Sequence, residues 1–139
     1  MTLSGFGQDE ALAHVYRSGD QGATWTSIAG NLPDVPANDL VPDPLAPGTL
    51  YLATDLGVSV TRNGGQTWWD LGAGLPVCAV FDLDLHAASR TLFAFTHGRS
   101  AWKLDLDDLP VDAPAGGPPA LALAPPAPNP ARGAVRTTL

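Results

Sequence analysis

Short apolar stretches separated by Gly, Pro, Asn and Asp recur along most of the chain. They are brief and rich in Val, Leu, Thr and aromatic residues, which predicts β-strands rather than helices. The expected strands are Leu3 to Phe6, His14 to Ser18, Trp25 to Ala29, Ala37 to Val41, Thr49 to Thr54, Val58 to Thr61, Trp68 to Gly72, Val80 to His86, Leu92 to Thr96 and Ser100 to Leu106. A short helical turn is expected only at Asp9 to Ala13. The pattern indicates an all-β fold.

Apolar residues alternate along the last three strands, and alternating residues share one strand face. These sets are Phe81, Leu83 and Leu85; Phe93 and Phe95; and Trp102, Leu104 and Leu106. We expect these faces to pack one sheet against the next.

An internal repeat organises these strands. The segment from Ser18 to Trp25 returns in weaker form from Thr61 to Trp68, an offset of 43 residues between the two tryptophans. Leu-Pro pairs follow each copy at the same offset, and a third copy begins without a matching turn after Trp102. Four strands in a repeat of about 40 to 50 residues are typical of β-propeller blades. We therefore expect an array of antiparallel blades that ends near Leu109.

The repeated segment has the chemistry of a tight hairpin turn. Asp20 can accept hydrogen bonds from nearby backbone N–H groups, and Gly22 can adopt a positive φ without strain. Ser18 and Thr24 can bind loop backbone groups, while Trp25 covers the turn with a large apolar surface. The turn residues are Ser18, Asp20, Gly22, Thr24 and Trp25 in the first copy and Thr61, Asn63, Gly65, Thr67 and Trp68 in the second. We interpret both turns as structural, with calcium or ligand binding as the alternative.

The first copy matches the Asp-box (BNR repeat) position for position, and residues 1–109 resemble the C-terminal blades of an Asp-box β-propeller. The resemblance implies about two and a half four-stranded antiparallel blades. Related propellers include sialidases, xyloglucan-hydrolysing glucanases, sortilin-type receptors and non-catalytic secreted proteins, so the motif is informative about fold and weak for activity. In this family the turn lies at the blade periphery.

Composition limits the function classes. The chain has 139 residues, 15 Gly, 14 Pro and a formal charge of -7, which excludes a long-helix protein and makes nucleic-acid binding over a basic surface unexpected. Cys78 is the single cysteine, so it can form no intrachain disulfide. No apolar run reaches the ~20 residues of a membrane helix, and the first residues lack signal-peptide features.

A change of composition marks the tail. Residues 110–127 are rich in Pro and Ala and are expected to form a disordered linker. Residues 128–139 resemble the opening strand of the immunoglobulin-like C-terminal domain that sorts or anchors some bacterial propeller proteins. We expect that domain to be truncated here.

Candidate catalytic residues are few. The sialidase resemblance would require an arginine cluster, a Tyr paired with a Glu, and an acidic donor. The sole Glu is Glu10, in an expected loop. Tyr16 and Tyr51 alternate with apolar residues as buried strand aromatics do, and Arg17 and Arg62 precede the two turns. A xyloglucanase-like pair of carboxylates requires only two Asp at a suitable separation. Asp39, Asp55 and Asp82 are the candidates for that pair. We assign no catalytic residue.

Polar residues of the third repeat are expected near the propeller axis. Asp82, Asp84 and His86 alternate on one face of a strand, so they could line a water-filled channel or, alternatively, ligate a divalent metal. His97 and Arg99 lie in the most polar loop expected near the axis. The channel interpretation is simpler, and we expect neither metal nor cofactor.

These features favour a non-catalytic binding or scaffold module of a secreted or cell-surface bacterial protein. The expected partners are the remaining blades of the parent chain and a carbohydrate or protein ligand. The alternative is the C-terminal part of a glycoside hydrolase whose catalytic residues lie upstream.

Overall fold

The computed structural model describes residues 1–5, 13–71, 75 and 77–107. The parts of our sequence predictions that fall on Phe6, most of Asp9 to Ala13, Gly72 and everything from residue 108 onward lie outside the described residues. Within the described ranges, no helix is long and apolar enough to cross a membrane.

The described strands form three antiparallel sheets, as the all-β prediction requires. Sheet A has the order β1-β2, sheet B the order β3-β4-β5-β6 and sheet C the order β7-β8-β9. The strands are β1 (Tyr16–Arg17), β2 (Thr26–Ser27), β3 (Ala37–Pro42), β4 (Leu50–Thr54), β5 (Gly57–Thr61), β6 (Trp69–Asp70), β7 (Val80–His86), β8 (Thr91–Thr96) and β9 (Ala101–Asp105). A 3-10 turn, Ala87–Ser89, joins β7 to β8.

Residues 1–3 extend sheet A. Thr2 pairs with Val15 in an antiparallel bridge. The amide of Leu3 donates to the carbonyl of His14 at 2.8 Å, and the amide of Tyr16 donates to the carbonyl of Met1 at 2.9 Å. The strands beside the two repeated turns are shorter than predicted, because β1, β2 and β6 each contain only two residues.

Sheet B lies between the other two sheets, and each of its faces is covered. One face packs on sheet A through a core that includes Val15, Ala37, Leu52 and Trp68. The opposite face packs on sheet C, where β7 contacts β3 and β4. This second core contains Tyr51, Ala53, Val58, Val60, Leu71, Leu75, Val80, Leu83, Leu92, Ala94, Leu104 and Leu106. Alternation along β4 therefore divides its side chains between two interfaces.

A β-bulge occurs at the same place in two successive repeats. The register shifts between Ala37 and Asp39 in β3 and between Val80 and Asp82 in β7. The extra residues are Asn38 and Phe81, which are one repeat offset apart. A bulge adds a residue to one strand and redirects the side chains around it.

The bulge explains why part of our face prediction was wrong. Leu83 and Leu104 are buried as expected, but Phe81 is 52% exposed because the bulge separates it from Leu83. On β8 the buried side chains are Leu92 and Ala94, so Phe93 and Phe95 lie on the opposite face from the one predicted to pack. Phe95 is 42% exposed. The outer face of sheet C is therefore open in the described structure.

Candidate functional site

The first repeated turn, from Ser18 to Trp25, is held by its own side chains. The hydroxyl of Ser18 donates to Oδ1 of Asp20 at 2.8 Å and accepts from the amide of Gly22 at 2.7 Å. Asp20 accepts from both the amide and the hydroxyl of Thr24, at 2.9 and 2.6 Å. Gln21 and Gly22 both have positive φ, 60° and 93°. The carboxylate thus organises the four residues that follow it.

The second turn repeats this pattern with one bond fewer. The amide of Gly65 donates to Oγ1 of Thr61 at 3.0 Å, and the amide of Thr67 donates to Oδ1 of Asn63 at 2.9 Å. An amide nitrogen replaces the second carboxylate oxygen in Asn63, and this nitrogen cannot accept the Thr67 hydroxyl. Gly64 replaces Gln21 at the first positive-φ position, with φ of 70°. The two turns are alike in shape but differ in charge.

The hydrogen bonds of the first turn have an electrostatic consequence. The hydroxyl and amide of Thr24, followed by the Ser18 hydroxyl, lower the pKa of Asp20 to about 2. Hydrogen bonds to a carboxylate stabilise its charged form. Asp20 is therefore ionised at neutral pH.

The two box tryptophans have different surroundings. Trp68 is 3% exposed, and its Nε1 donates to the carbonyl of Ile28, directly after β2, at 2.8 Å. Its backbone amide donates to Oδ1 of Asn31 at 2.6 Å. Trp25 is 45% exposed, which contradicts our expectation that it buries a large area over its turn. It lines an open cleft of about 450 Å³ with Met1, Tyr16, Arg17, Gln21, Leu40 and Leu50.

The candidate carboxylates Asp39 and Asp55 form hydrogen bonds at the junction of sheets B and C. Oδ2 of Asp39 accepts from the amide of Leu83 at 2.9 Å. The bulged residue Asn38 donates from Nδ2 to Oδ1 of Asp55 at 2.9 Å and to the carbonyl of Val80 at 2.8 Å. The bonds to Val80 and Leu83 connect β3 of sheet B to β7 of sheet C. The third candidate, Asp82, is exposed on β7.

The predicted channel residues are exposed and point in one direction. Asp82 pairs with Phe95 and Asp84 with Phe93, so these carboxylates lie on the open outer face of sheet C. His86 ends β7, and its Nδ1 accepts from the amide of Ser89 at 3.3 Å as the cap of the 3-10 turn. Among the residues that the structure describes, no group of three or more His, Cys, Asp or Glu is arranged to hold a metal ion.

The polar loop after β8 forms local contacts. The amide of His97 donates to the carbonyl of Ala79 at 2.9 Å, and its ring meets Phe81 edge-on with centroids 5.6 Å apart. The carbonyl of Arg99 accepts from Nε1 of Trp102 at 2.9 Å. These contacts shape the loop against β7 and β9.

The predicted sialidase-type residues do not assemble in the described part of the chain. Glu10 lies outside it. Arg17 at the end of β1 and Arg62 in the second repeated turn are both exposed. Tyr51 is 3% exposed, and its hydroxyl donates to Oδ2 of Asp43 at 3.4 Å.

Sequence reasoning missed the buried ion pair between Asp43 and Arg90. Nη1 and Nη2 of Arg90 donate to the two carboxylate oxygens of Asp43, both at 2.9 Å. The Asp43 side chain is 0% exposed, and that of Arg90 is 22% exposed. Oδ1 of Asp43 also accepts from the amide of Leu45 at 2.9 Å. The pair connects the turn after β3 to the turn after β7.

Burial and charge act in opposite directions on this network. Burial raises the pKa of the Asp43 carboxyl, but the hydrogen bonds from Arg90 and the Leu45 amide outweigh it, so the pKa lies below its ordinary value. Burial and the adjacent Asp43 charge raise the pKa of Tyr51 to about 12. Asp43 is therefore ionised and Tyr51 protonated at neutral pH.

A second missed contact joins His14 to Asp34. Nε2 of His14 lies 2.7 Å from Oδ1 of Asp34, and Nδ1 lies 2.9 Å from the carbonyl of Leu3. Each ring nitrogen therefore faces a hydrogen-bond acceptor. These residues border a cavity of about 230 Å³ lined mainly by apolar side chains such as Leu32 and Leu52. No local motif marks this pair, because the two residues come from separate loops.

Comparison of the chain with models of known protein families and with curated proteins finds no match.

Proposed function

We propose that this chain is a non-catalytic segment of an Asp-box β-propeller in a secreted or cell-surface bacterial protein. Sheets A, B and C correspond in this proposal to consecutive blades, about two and a half in number. Their strands follow one another in sequence, and β7 packs against β3 and β4. The repeated turns and repeated bulges support the same assignment.

The observation that carries a scaffold role is the use of Asp39. Its carboxylate is half-buried, and Oδ2 accepts the backbone N–H of Leu83 from the neighbouring sheet. Asp55 is held by Asn38 in the same junction, and Asp43 is neutralised by Arg90. A general acid or nucleophile needs access to substrate. These carboxylates instead stabilise the stacking of sheets B and C.

The proposed partners are the remaining blades of the parent chain and a carbohydrate or protein ligand. Trp25 supports a carbohydrate ligand, because exposed aromatic rings supply contact area at low entropic cost. Titrating the purified chain with sialylated and β-glucan oligosaccharides while following tryptophan fluorescence tests this ligand class. Saturable quenching that is lost in Trp25→Leu is the expected result, with Trp102→Leu as the control.

Hydrolysis assays separate the scaffold role from the glycoside-hydrolase alternative. We expect no turnover of fluorogenic sialosides or β-glucans by the chain. Turnover that disappears in Asp39→Asn or Asp82→Asn, and persists in the exposed control Asp105→Asn, would contradict the non-catalytic proposal.

A further inference from the structure

We propose that Asn63 is a site of spontaneous deamidation, and that its conversion to aspartate gives the second repeated turn the hydrogen bonding of the first. The chain has four asparagines, and Asn63 is the one that a glycine follows. Glycine has no side chain to hinder attack of its backbone nitrogen on the preceding amide, so Asn-Gly is the dipeptide most prone to this reaction. The inference concerns the turn itself and does not depend on the proposed function.

The reaction needs no partner other than water. The Gly64 nitrogen loses its proton to solvent and attacks Cγ of Asn63, which forms an N–Cγ bond. The Cγ–Nδ2 bond then breaks, and the leaving nitrogen takes up a proton and departs as ammonia. Water adds its hydroxyl to either carbonyl carbon of the resulting succinimide and returns a proton to the nitrogen. Cleavage of the N–Cγ bond gives aspartate, and cleavage at the main-chain carbonyl carbon gives isoaspartate. Asn63 is exposed, so water reaches it.

The fold restrains the attacking nitrogen. The amide of Gly64 donates to the carbonyl of Gly48, in the turn between β3 and β4, at 2.9 Å. While this Gly48 contact is closed, it shields the amide proton from solvent and fixes the peptide plane of Gly64. Hydrogen-bonded amides of a folded chain react with solvent through local opening. Deamidation should therefore proceed from molecules in which the Gly48 contact is open.

The first turn shows which bonds an aspartate at position 63 would form. Oδ1 of Asn63 already accepts from the hydroxyl of Thr61 at 2.8 Å and from the amide of Thr67 at 2.9 Å. Asp20 accepts the equivalent bonds and, through Oδ2, a third from the hydroxyl of Thr24 at 2.6 Å. Deamidation replaces Nδ2 of Asn63 with such an oxygen, so the Thr67 hydroxyl gains an acceptor. Isoaspartate instead lengthens the main chain by one atom and disrupts the spacing of the turn.

Peptide mapping by mass spectrometry of the full chain, aged in mildly alkaline buffer, tests the site. In urea, Asn63 should deamidate at least about tenfold faster than Asn31 and Asn38, whose next residues carry side chains. In the folded chain, Asn63 should react at least about tenfold more slowly than in urea. This folded-state rate should rise in sub-denaturing urea as the Gly48 contact opens.

Two glycine variants separate the Gly48 contact from a general loss of stability. Gly48 and Gly98 have positive φ, 87° and 74°, so alanine strains the backbone at either position. An added Cβ at Gly48 would lie 3.3 Å from the carbonyl oxygen of Arg62 and 3.7 Å from the nitrogen of Gly64, whereas at Gly98 no other described atom lies within 4 Å. Gly48→Ala should accelerate deamidation of the folded chain by at least about fivefold. Gly98→Ala, the matched control, should leave the rate unchanged.

A second pair of variants tests the bond that deamidation should create. Thr67→Val removes the hydroxyl and keeps the shape of the side chain. In the wild-type background its effect on urea unfolding should be small, because Nδ2 of Asn63 cannot accept that hydroxyl. In the Asn63→Asp background Thr67→Val should lower the free energy of unfolding clearly more.

Four results would overturn the proposal. They are an Asn63 amide that survives in urea while Asn31 or Asn38 reacts, equal rates in the folded and unfolded chain, a folded Gly48→Ala chain that deamidates no faster than Gly98→Ala, and a Thr67→Val effect that is the same in both backgrounds. Near-UV circular dichroism establishes that Gly48→Ala is folded. Should it lose its structure, the change of the wild-type rate in sub-denaturing urea decides the same point.

Discussion

Removing Arg90 from its ion pair is the most informative single perturbation of the fold. Arg90→Met leaves the Asp43 carboxylate with only the Leu45 amide and the more distant Tyr51 hydroxyl. The Asp43 side chain is 0% exposed, so water cannot replace the Arg90 guanidinium unless the structure opens locally. Breaking a buried pair by removing one partner costs about 3–5 kcal/mol. We expect about 3 kcal/mol, the lower end of that range, because two hydrogen-bond donors remain.

The loss is large against the stability of a small domain. Domains of this size are stable by about 5–15 kcal/mol, and each kcal/mol shifts Tm by roughly 4–8 °C. Thermal and urea unfolding of Arg90→Met should therefore show Tm lower by roughly 12–24 °C. Arg99→Met is the matched control, because Arg99 is exposed. Unfolding should be followed at two or more protein concentrations, since association also raises Tm.

The pH dependence identifies Asp43 as the source of the loss. The folded-state pKa of Asp43 is lowered, so its pairing stabilises the protein above the unfolded pKa of about 3.9 and is lost as pH falls through the folded value. The difference in free energy of unfolding between the wild-type chain and Arg90→Met should then become smaller at acidic pH. Adding Asp43→Asn to Arg90→Met should recover part of the loss, because an amide carries no charge. A loss below about 1 kcal/mol, typical of an exposed pair, would refute the reasoning.

Three further predictions concern the two repeated turns. Urea unfolding should show a larger loss of stability for Gly65→Ala than for Gly64→Ala. Both glycines have a positive φ, at which an added Cβ costs about 1–2 kcal/mol. At Gly65 that Cβ would also lie 2.5 Å from the backbone oxygen of Ile28, whereas at Gly64 the nearest atom is 4.0 Å away. Trp68→Ala should lower the free energy of unfolding by about 3–5 kcal/mol, and Trp25→Ala should lower it clearly less. Equal decreases in Tm for the two variants would contradict the difference in burial. The Asp20 carboxylate stabilises its turn fully above its ordinary pKa, and this stabilisation should be lost as pH falls through about 2. NMR titration of the Asp20 side-chain resonance measures this pKa. Asp20→Asn should abolish the acid transition.

Strand positions were predictable where local pattern determines them. The alternation in Val80 to His86 and the Gly- and Asp-rich turns around Asp20 and Asn63 act over a few residues, and the strands and turns lie where expected. The bulged residues Asn38 and Phe81 were not predictable, because one inserted residue leaves the apolar alternation superficially intact while it reverses the faces beyond it.

Contacts between distant turns could not be predicted from local pattern either. Asp43 and Arg90 are 47 residues apart and lie in turns without a repeated motif. Arg90 also has a positive φ of 51°, which is uncommon for a residue other than Gly. The different exposure of Trp25 and Trp68 could not be predicted locally either, because the two turns have the same geometry and differ in the residues that pack against them.

The position of sheet B between the other two sheets determines the order in which parts of the molecule open. The described strands pair within their own sheets, so a sheet can separate from its neighbour without breaking its ladders. Such cooperative units exchange their amide hydrogens at different rates. Sheet A, with strands of two residues, should exchange first, and sheet C should follow once the Arg90 contact opens. The amides of β4 should exchange last, because both neighbouring sheets must leave before water reaches them.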